Sequence, residues 1–331
     1  MRVAVLGGTG FIGRQVVRAL VDAGHDVTVF HRGPDEPDLP AGLRHVHGTF
    51  DCLGDHRDVF QRLEPQVVLD MVPYINKGGH GIAHFRGIAD RAVVISSGDV
   101  YRAFGRLWKS EPGPPDRVPL TEESPLRTLP APDREGEDDF DNLDAEWAAL
   151  ADPALPATIL RLPATHGPGD RQHRLAPYLR AMLDDRPAIV LGSTHARWRW
   201  SRGYVENVAA AIALAVADER ASGKTYNLGA DPAASEADWI RAVATITGWA
   251  GRVRVIPDDQ LPLTLRQPFD FTQHLELDTA RIRRELGYDE TVDEAEGLRR
   301  TIEWELQALH HLPDHRLDYA AEDEALQLGI G

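Results

Sequence analysis

The sequence predicts an α/β protein, a doubly wound parallel sheet followed by a smaller α/β C-terminal domain. Three observations predict it. A glycine-rich turn follows a short apolar run at the N-terminus, strands then alternate with helices for a hundred residues, and regular periodicity resumes after a long polar loop. Alternation of the two element types implies parallel strands covered by helices on both faces.

Residues 2–6 form a short β-branched run, and the turn Gly7-Gly8-Thr9-Gly10-Phe11-Ile12-Gly13 follows at once. Ile12, Val16, Val17, Leu20 and Val21 then recur at helical spacing, and Gly24 ends that helix. Asp26 to Phe30 reads as a second strand. A third strand is expected at 43–46, a helix around 59–63, and strands of the buried type at 67–72 and 92–97. Residues 110–139 are rich in Pro, Glu and Asp and read as a long loop over the sheet edge. Beyond it the pattern predicts a helix at 140–151, a strand at 157–162, helices at 175–183, 205–216 and 236–247, and a strand at 253–256.

Strand, glycine turn, helix and strand within about thirty residues are the context in which such a turn signals a dinucleotide, and a Rossmann-type sheet. Gly7 permits the tight turn, Gly10 lets the backbone approach a pyrophosphate, and Gly13 lets the helix pack on the sheet. Thr9, Phe11 and Ile12 complete the turn, with His31, Arg32, Met71, Val72 and Pro163 expected around the rest of the cofactor. The second strand ends in Phe30-His31-Arg32-Gly33, with no carboxylate to hold a ribose 2′-hydroxyl. Arg32 can pair with a 2′-phosphate, so NADP(H) is preferred over NAD(H); alternatively Arg32 points to solvent and either cofactor binds. The expected division is a dinucleotide-binding domain over 1–165, to which later segments return, a mainly substrate-binding domain over 166–305, and a peripheral acidic tail over 306–331.

Bulk composition narrows the function. Of 331 residues, 42% are hydrophobic and 27% charged, with a net charge of −16. That surface repels nucleic acid and anionic lipid, which argues for a small-molecule substrate. The N-terminus lacks the basic start and long apolar core of a signal peptide, and no stretch approaches the ~20 apolar residues of a membrane span. Cys52 is the only cysteine, which excludes an internal disulfide and fits a cytoplasmic location; flanked by Asp51 and Leu53, it reads as an isolated thiol. His310, His311 and His315 in the tail reflect composition, and no metal site is expected.

Further short motifs carry a resemblance. They are Ile95-Ser96-Ser97-Gly98-Asp99-Val100-Tyr101, Leu160-Arg161-Leu162-Pro163 with Gly167-Pro168-Gly169, and Arg202-Gly203-Tyr204-Val205-Glu206-Asn207-Val208-Ala209. Tyr226-Asn227-Leu228-Gly229 and Leu286-Gly287-Tyr288 complete the set. With the glycine turn, they resemble an extended short-chain dehydrogenase/reductase of the NAD-dependent epimerase/dehydratase group over residues 1–305. The sequence leaves the oligomeric state open, although relatives often dimerise through two sheet-flanking helices and the resemblance makes a homodimer one expectation.

The resemblance makes Ser97 the hydroxyl that hydrogen-bonds the substrate oxygen, unless it only caps the strand end. It places Asp99 where sugar-nucleotide dehydratases of the group carry an acidic proton-transfer residue; a solvated loop aspartate is the other reading. The group's Tyr-x-x-x-Lys dyad is absent. The lysines are Lys77, Lys109 and Lys224, and four residues before them stand Pro73, Gly105 and Arg220. Anchoring on Glu146, which resembles the glutamate after the family lysine, puts Asp138 and Asn142 at the dyad; a shift of two puts Phe140 and Asp144 there.

Replacement groups can be named. Tyr101 offers a phenol near Ser97, although relatives pack this tyrosine structurally, and His166 an imidazole that titrates near neutrality. Tyr74 and Lys77 follow a strand's C-terminal end, where open α/β sheets bind ligands, and are candidate substrate contacts. Arg199 and Arg202, in Arg197-Trp198-Arg199-Trp200-Ser201-Arg202, could grip an anionic substrate. Alternation would instead put the arginines on a wet face and the tryptophans in the core. The sequence therefore supports a dinucleotide-dependent enzyme acting on an anionic or polyhydroxylated small molecule by hydride transfer. It leaves open a non-redox lyase, isomerase or cyclase, and a dinucleotide-sensing protein without turnover.

Overall fold

β1 (Arg2–Leu6) lies at the centre of a seven-stranded sheet and is hydrogen-bonded in parallel to β2 (Asp26–His31) and β4 (Val67–Asp70). In this computed structural model, residues 1–33, 39–73, 75–76, 79–129, 141–312 and 317–328 are described. β3 (Arg44–His47) is the edge strand beside β2. On the other side of β4 follow β7 (Arg91–Ser97), β8 (Ala157–Leu162) and β12 (Thr225–Asn227), all parallel. A small antiparallel pair, β5 (Ile75–Asn76) and β6 (Gly79–His80), sits between β4 and β7 in the chain. The order β12-β8-β7-β4-β1-β2-β3 reverses its direction of winding at the β1–β4 boundary. At that point neighbouring crossovers leave on opposite faces and open a crevice at the strand C-termini.

Burial explains why these segments are strands. Val3 to Leu6 are all buried, as a central parallel strand requires, because helices cover both sheet faces. One face packs Val5, Val16, Val17 and Leu20 against Ile212 and Val216, from α1 (Phe11–Asp22) and α7 (Val205–Ala217). The other packs Leu6, Phe30, Phe60, Phe85 and Ala149 beneath α2 (Arg57–Leu63) and α4 (Asn142–Leu150). α7, β12 and α9 (Ala280–Leu286) come from late in the chain yet belong to this sheet: Ile212, Tyr226, Ile282 and Leu286 share its first core.

A second lobe surrounds the parallel pair β10 (Ala188–Gly192) and β13 (Arg252–Ile256). α5 (Ala176–Leu183), α6 (Ser193–Arg197), α8 (Glu236–Thr247) and α10 (Glu294–Ala308) build its core around Leu179, Ile240, Val243 and Ile302. Another parallel pair, β9 (Ala164–His166) with β11 (Arg202–Tyr204), starts immediately after β8. The acidic tail packs on the outside of this lobe. It forms α11 (Tyr319–Leu328), whose Ala325 is buried with Ile256 and Leu261, while Arg186 bonds Asp323 and lies over the Tyr319 ring.

After α3 (Arg102–Leu107), the described part of the long loop, up to Leu129, contains neither helix nor multi-residue strand. Polar clamps hold it instead. The Glu111 carboxylate accepts from Thr128 N and Leu129 N, and these amides keep its carboxyl below the usual range against the opposing effect of burial.

Candidate functional site

The glycine turn has the dimensions its residues imply. Gly7 has φ +82°, and a Cβ there would lie 2.5 Å from Val72 Cγ2. At Gly13 a Cβ would stand 2.9 Å from Gly7 O, so close helix–sheet packing requires glycine. Above Gly10 the situation is reversed: among the described residues no atom lies within 4 Å of a built Cβ, and the residue is exposed. Gly10 is also the N-cap of α1 and supplies no side-chain cap. Uncapped amides at the positive end of a helix, facing open space, fit a pyrophosphate.

Thr9, Phe11, Ile12, Met71, Val72 and Pro163 are all partly exposed around this crevice. Asp70 shapes one wall: its Oδ1 accepts from Val72 N at 3.1 Å and holds Val72 against Gly7. Asp70 is fully buried and its Oδ2 has no partner among the described residues; burial pushes its carboxyl up to about 7, opposed by the Val72 amide. Arg32 is exposed at the end of β2. His31, expected to line the cofactor, is engaged elsewhere: its ring is buried, hydrogen-bonded to His45 at 2.9 Å, and accepts from Gly33 N. Tyr74 and Lys77 lie outside the described residues.

At the end of β7, Ser97 Oγ accepts from Asp99 N at 3.2 Å, so the hydroxyl does cap the strand end. Asp99 Oδ1 accepts from Asn142 Nδ2 at 3.0 Å. Both groups are held from behind. Arg127 donates to the Asp99 carbonyl and pairs with Asp141, and Asp141 in turn caps α4 through Leu143 N.

The register of α4 follows from a buried ion pair. Arg161 on β8 bonds Glu146 through Nε at 2.9 Å and Nη2 at 2.7 Å, and Ser96 Oγ adds a third hydrogen bond to the same carboxylate. One helical turn before Glu146, Asn142 faces Asp99 while Asp144 is exposed. Of the two registers the sequence allows for the missing dyad, this geometry supports the one with Asn142. Asp138 and Phe140 lie outside the described residues.

Other candidates are not brought to this place. Tyr101 is a strut of the core: its buried hydroxyl donates to Asn227 Oδ1 at 2.6 Å and accepts from Arg161 Nη1 at 2.9 Å. Burial pushes this phenol up to about 12, so it has neither a free proton nor a suitable pKa for transfer. His166 sits inside the second lobe against Trp239 and Tyr204, bonded through Nδ1 to Thr301 Oγ1 at 2.9 Å. Burial, with Arg202 and Arg174 adding to it, brings its pKa down to about 3. None of its described contacts leads to Ser97 or Asp99.

Arg202 shares that interior, paired with the buried Glu236 and stacked over Trp239, so its charge is already matched. Arg199 is exposed and donates to Ala233 O, while Trp198 between the arginines is buried and donates to Gln273 O. The exposed Arg197 and Arg199 flanking the buried Trp198 agree with the expected alternation, although Arg197 ends α6 and Arg202 is buried.

Sequence reasoning missed Asp70, whose signal was a carboxylate ending an all-apolar strand, and the Arg127–Asp141 clamp. It also expected no metal site and put His31 at the cofactor, whereas one nitrogen from each of His31, His45 and His47 lies within 4.8 Å of the others. Their alternate spacing on β3 was legible, but the pairing with β2 was not.

Comparison with known proteins gives the family and the fold. The profile of the NAD dependent epimerase/dehydratase family matches residues 3–101 and 143–229. The chain belongs to that family, and is an oxidoreductase/epimerase/dehydratase-like enzyme. It is 30% identical to 2′-dehydrokanamycin reductase of Streptomyces kanamyceticus, over 69% of this chain and 61% of that protein. Against dTDP-glucose 4,6-dehydratase of Streptomyces niveus it is 27% identical, over 92% of each. A dTDP-glucose 4,6-dehydratase of Bacillus anthracis, solved in complex with NAD, superposes with a TM-score of 0.65 at 16% identity, over 93% of this chain and 97% of that one. That likeness shows the fold. No described helix is long and apolar enough to cross a membrane.

Proposed function

We propose that the protein is an NAD(P)-dependent oxidoreductase of a polyhydroxylated or anionic small molecule, in which Asp99 replaces the missing tyrosine as proton-transfer group. The observation that carries this reading is the hydrogen bond from Asn142, which stands at one of the two positions aligned with the missing dyad, to Asp99. A bound dinucleotide supplies a nicotinamide carbon that accepts or donates hydride.

When a secondary alcohol is oxidised, the carbinol C–H leaves as hydride, its O–H proton passes to the Asp99 carboxylate, and a carbonyl forms; reduction is the reverse. Ser97 Oγ already accepts from Asp99 N, so its own hydrogen is directed to the substrate oxygen. The Asn142 amide orients the carboxylate through Oδ1. Because Asn142 is neutral, it stabilises the Asp99 anion less than a lysine would, and the proton stays available for return. The curated reductase and dehydratase relatives support a sugar-like substrate, an aminoglycoside ketone or a sugar nucleotide among them. Exposed Arg32 favours NADP(H) through pairing with the 2′-phosphate.

Fluorescence titration with NADPH and NADH, followed by assay against ketosugars, aminoglycoside ketones and nucleotide sugars, tests the reading. Binding of the dinucleotide, with turnover abolished in Asp99→Asn, is expected. Failure of both dinucleotides to bind, or full turnover in Asp99→Asn, would overturn it. Arg32→Ala should weaken NADPH and leave NADH unchanged; equal loss of both removes the NADP(H) preference.

A further inference from the structure

We propose that His31, His45 and His47 form a binding site for a zinc-class divalent cation at the β2–β3 edge of the sheet. Parallel pairing sets His31 directly opposite His47, and His45 lies two residues earlier on β3. Side chains repeat every second residue along a strand, so all three rings project from one face. One nitrogen from each lies within 4.8 Å of the other two.

The rings converge; they do not stack. His31 crosses His45 at 80° and His47 at 90°, with centroids 5.1 and 4.7 Å away. Burial is graded from His31, which is buried, through His45 to the exposed His47. This places two donors away from bulk water and leaves an entrance at the third. Imidazole donors select zinc, copper and nickel over magnesium and calcium, which prefer oxygen. Three histidines around one zinc leave the fourth position to water or an anion.

The hydrogen bonds show where the cation enters. Gly33 N donates to His31 Nδ1 at 3.1 Å, so that nitrogen accepts and Nε2 carries the ring proton, which it donates to His45 Nδ1 at 2.9 Å. A cation takes the place of this shared proton. His31 Nδ1 must then hold the ring hydrogen, and the Gly33 amide gives up its bond. The nitrogens must also draw in, since zinc–nitrogen bonds of ~2.05 Å put tetrahedral donors about 3.4 Å apart. His47 is exposed and can make that movement by rotation.

The site is separate from the proton-transfer group. β2 and β7 are three strand spacings apart in the sheet, about 14 Å. A cation there acts on the turn that carries Arg32 and Gly33, and the inference does not rest on the reaction proposed above.

The test uses the full-length protein freed of metal with a chelator and dialysed. Calorimetric titration with Zn²⁺ should show one equivalent bound with a Kd below about 10 μM. Co²⁺ should give visible absorption bands of a nitrogen-ligated ion, and Mg²⁺ should not compete. His45→Ala and His47→Ala should each weaken Zn²⁺ at least tenfold and abolish the Co²⁺ bands, while a His310→Ala, His311→Ala double variant should bind as the parent does. If His45→Ala misfolds by circular dichroism, His47→Gln at the exposed position decides. Absence of saturable binding, or binding indifferent to His47→Gln and His47→Ala, would overturn the proposal.

Discussion

Asn142 on α4 donates from Nδ2 to Oδ1 of Asp99 at the end of β7, across 3.0 Å. The helix is locked to the sheet one turn further on by Glu146 and Arg161, so this contact is set by buried structure. Groups that act as a general acid or base contribute about 10²- to 10⁴-fold to a rate. Asp99→Asn should therefore lower kcat by at least about 10²-fold, while KM changes little. Asn142→Ala should give a smaller loss and shift the pH profile of kcat, because Asp99 loses its orienting donor. Steady-state rates from pH 5 to 9 check both. An unchanged profile for Asn142→Ala would remove its positioning role.

Gly10 and Gly13 separate binding from folding. A methyl group at Gly10 meets no atom of the described residues within 4 Å, so Gly10→Ala should melt as the parent does and bind NADPH at least about tenfold more weakly. At Gly13 the methyl meets Gly7 O at 2.9 Å, so Gly13→Ala should lower both the melting temperature and the affinity. Thermal melts with and without cofactor distinguish the two.

Glu146→Gln tests the buried pair. Arg161 and Glu146 are 4% and 1% exposed, and removing one charge strands the other. A loss of about 3–5 kcal/mol is expected from urea unfolding. A loss below 1 kcal/mol would mean that the pair is readily dispensable.

Asp70 gives a pH signature. Its folded pKa is raised to about 7 from 3.8, so its contribution to stability is complete below 3.8 and is lost as pH rises to about 7. Asp70→Asn keeps the acceptor for Val72 N and carries no charge. It should melt above the parent at pH 8, with the gap closing toward pH 4. A variant less stable than the parent at pH 8 would contradict the burial argument.

His166 runs the other way in pH. Its folded pKa is lowered to about 3 from 6.5, so its stability contribution is present above 6.5 and drains away as pH falls toward 3. Thr301 Oγ1 donates to Gly297 O and therefore accepts from His166 Nδ1, a bond an asparagine amide can imitate. His166→Asn should flatten the fall in unfolding free energy between pH 6.5 and 4 by up to one proton's slope, about 1.4 kcal/mol per pH unit.

Local pattern made the fold readable. The apolar spacing from Ile12 to Val21, the apolar runs within β1, β4 and β7, and the glycine turn are short-range features whose physics is complete within a dozen residues. The helix of the tail was not legible because the buried face of α11 is a few small residues, Ala321 and Ala325, in an acidic background.

The sequence by itself determined the doubly wound fold, the dinucleotide turn and the loss of Tyr-x-x-x-Lys, since a motif's presence or absence is a one-dimensional fact. Tertiary structure decided which side chains do what. Asn142 became the neighbour of Asp99 because Glu146 pairs with Arg161 on another strand. Tyr101 became a strut because Asn227, 126 residues away, accepts its hydrogen bond. His31 met His45 and His47 only through the register of β2 with β3. Each of these depends on partners that are distant in the chain and on burial that fixes their protonation, and neither is written in local spacing.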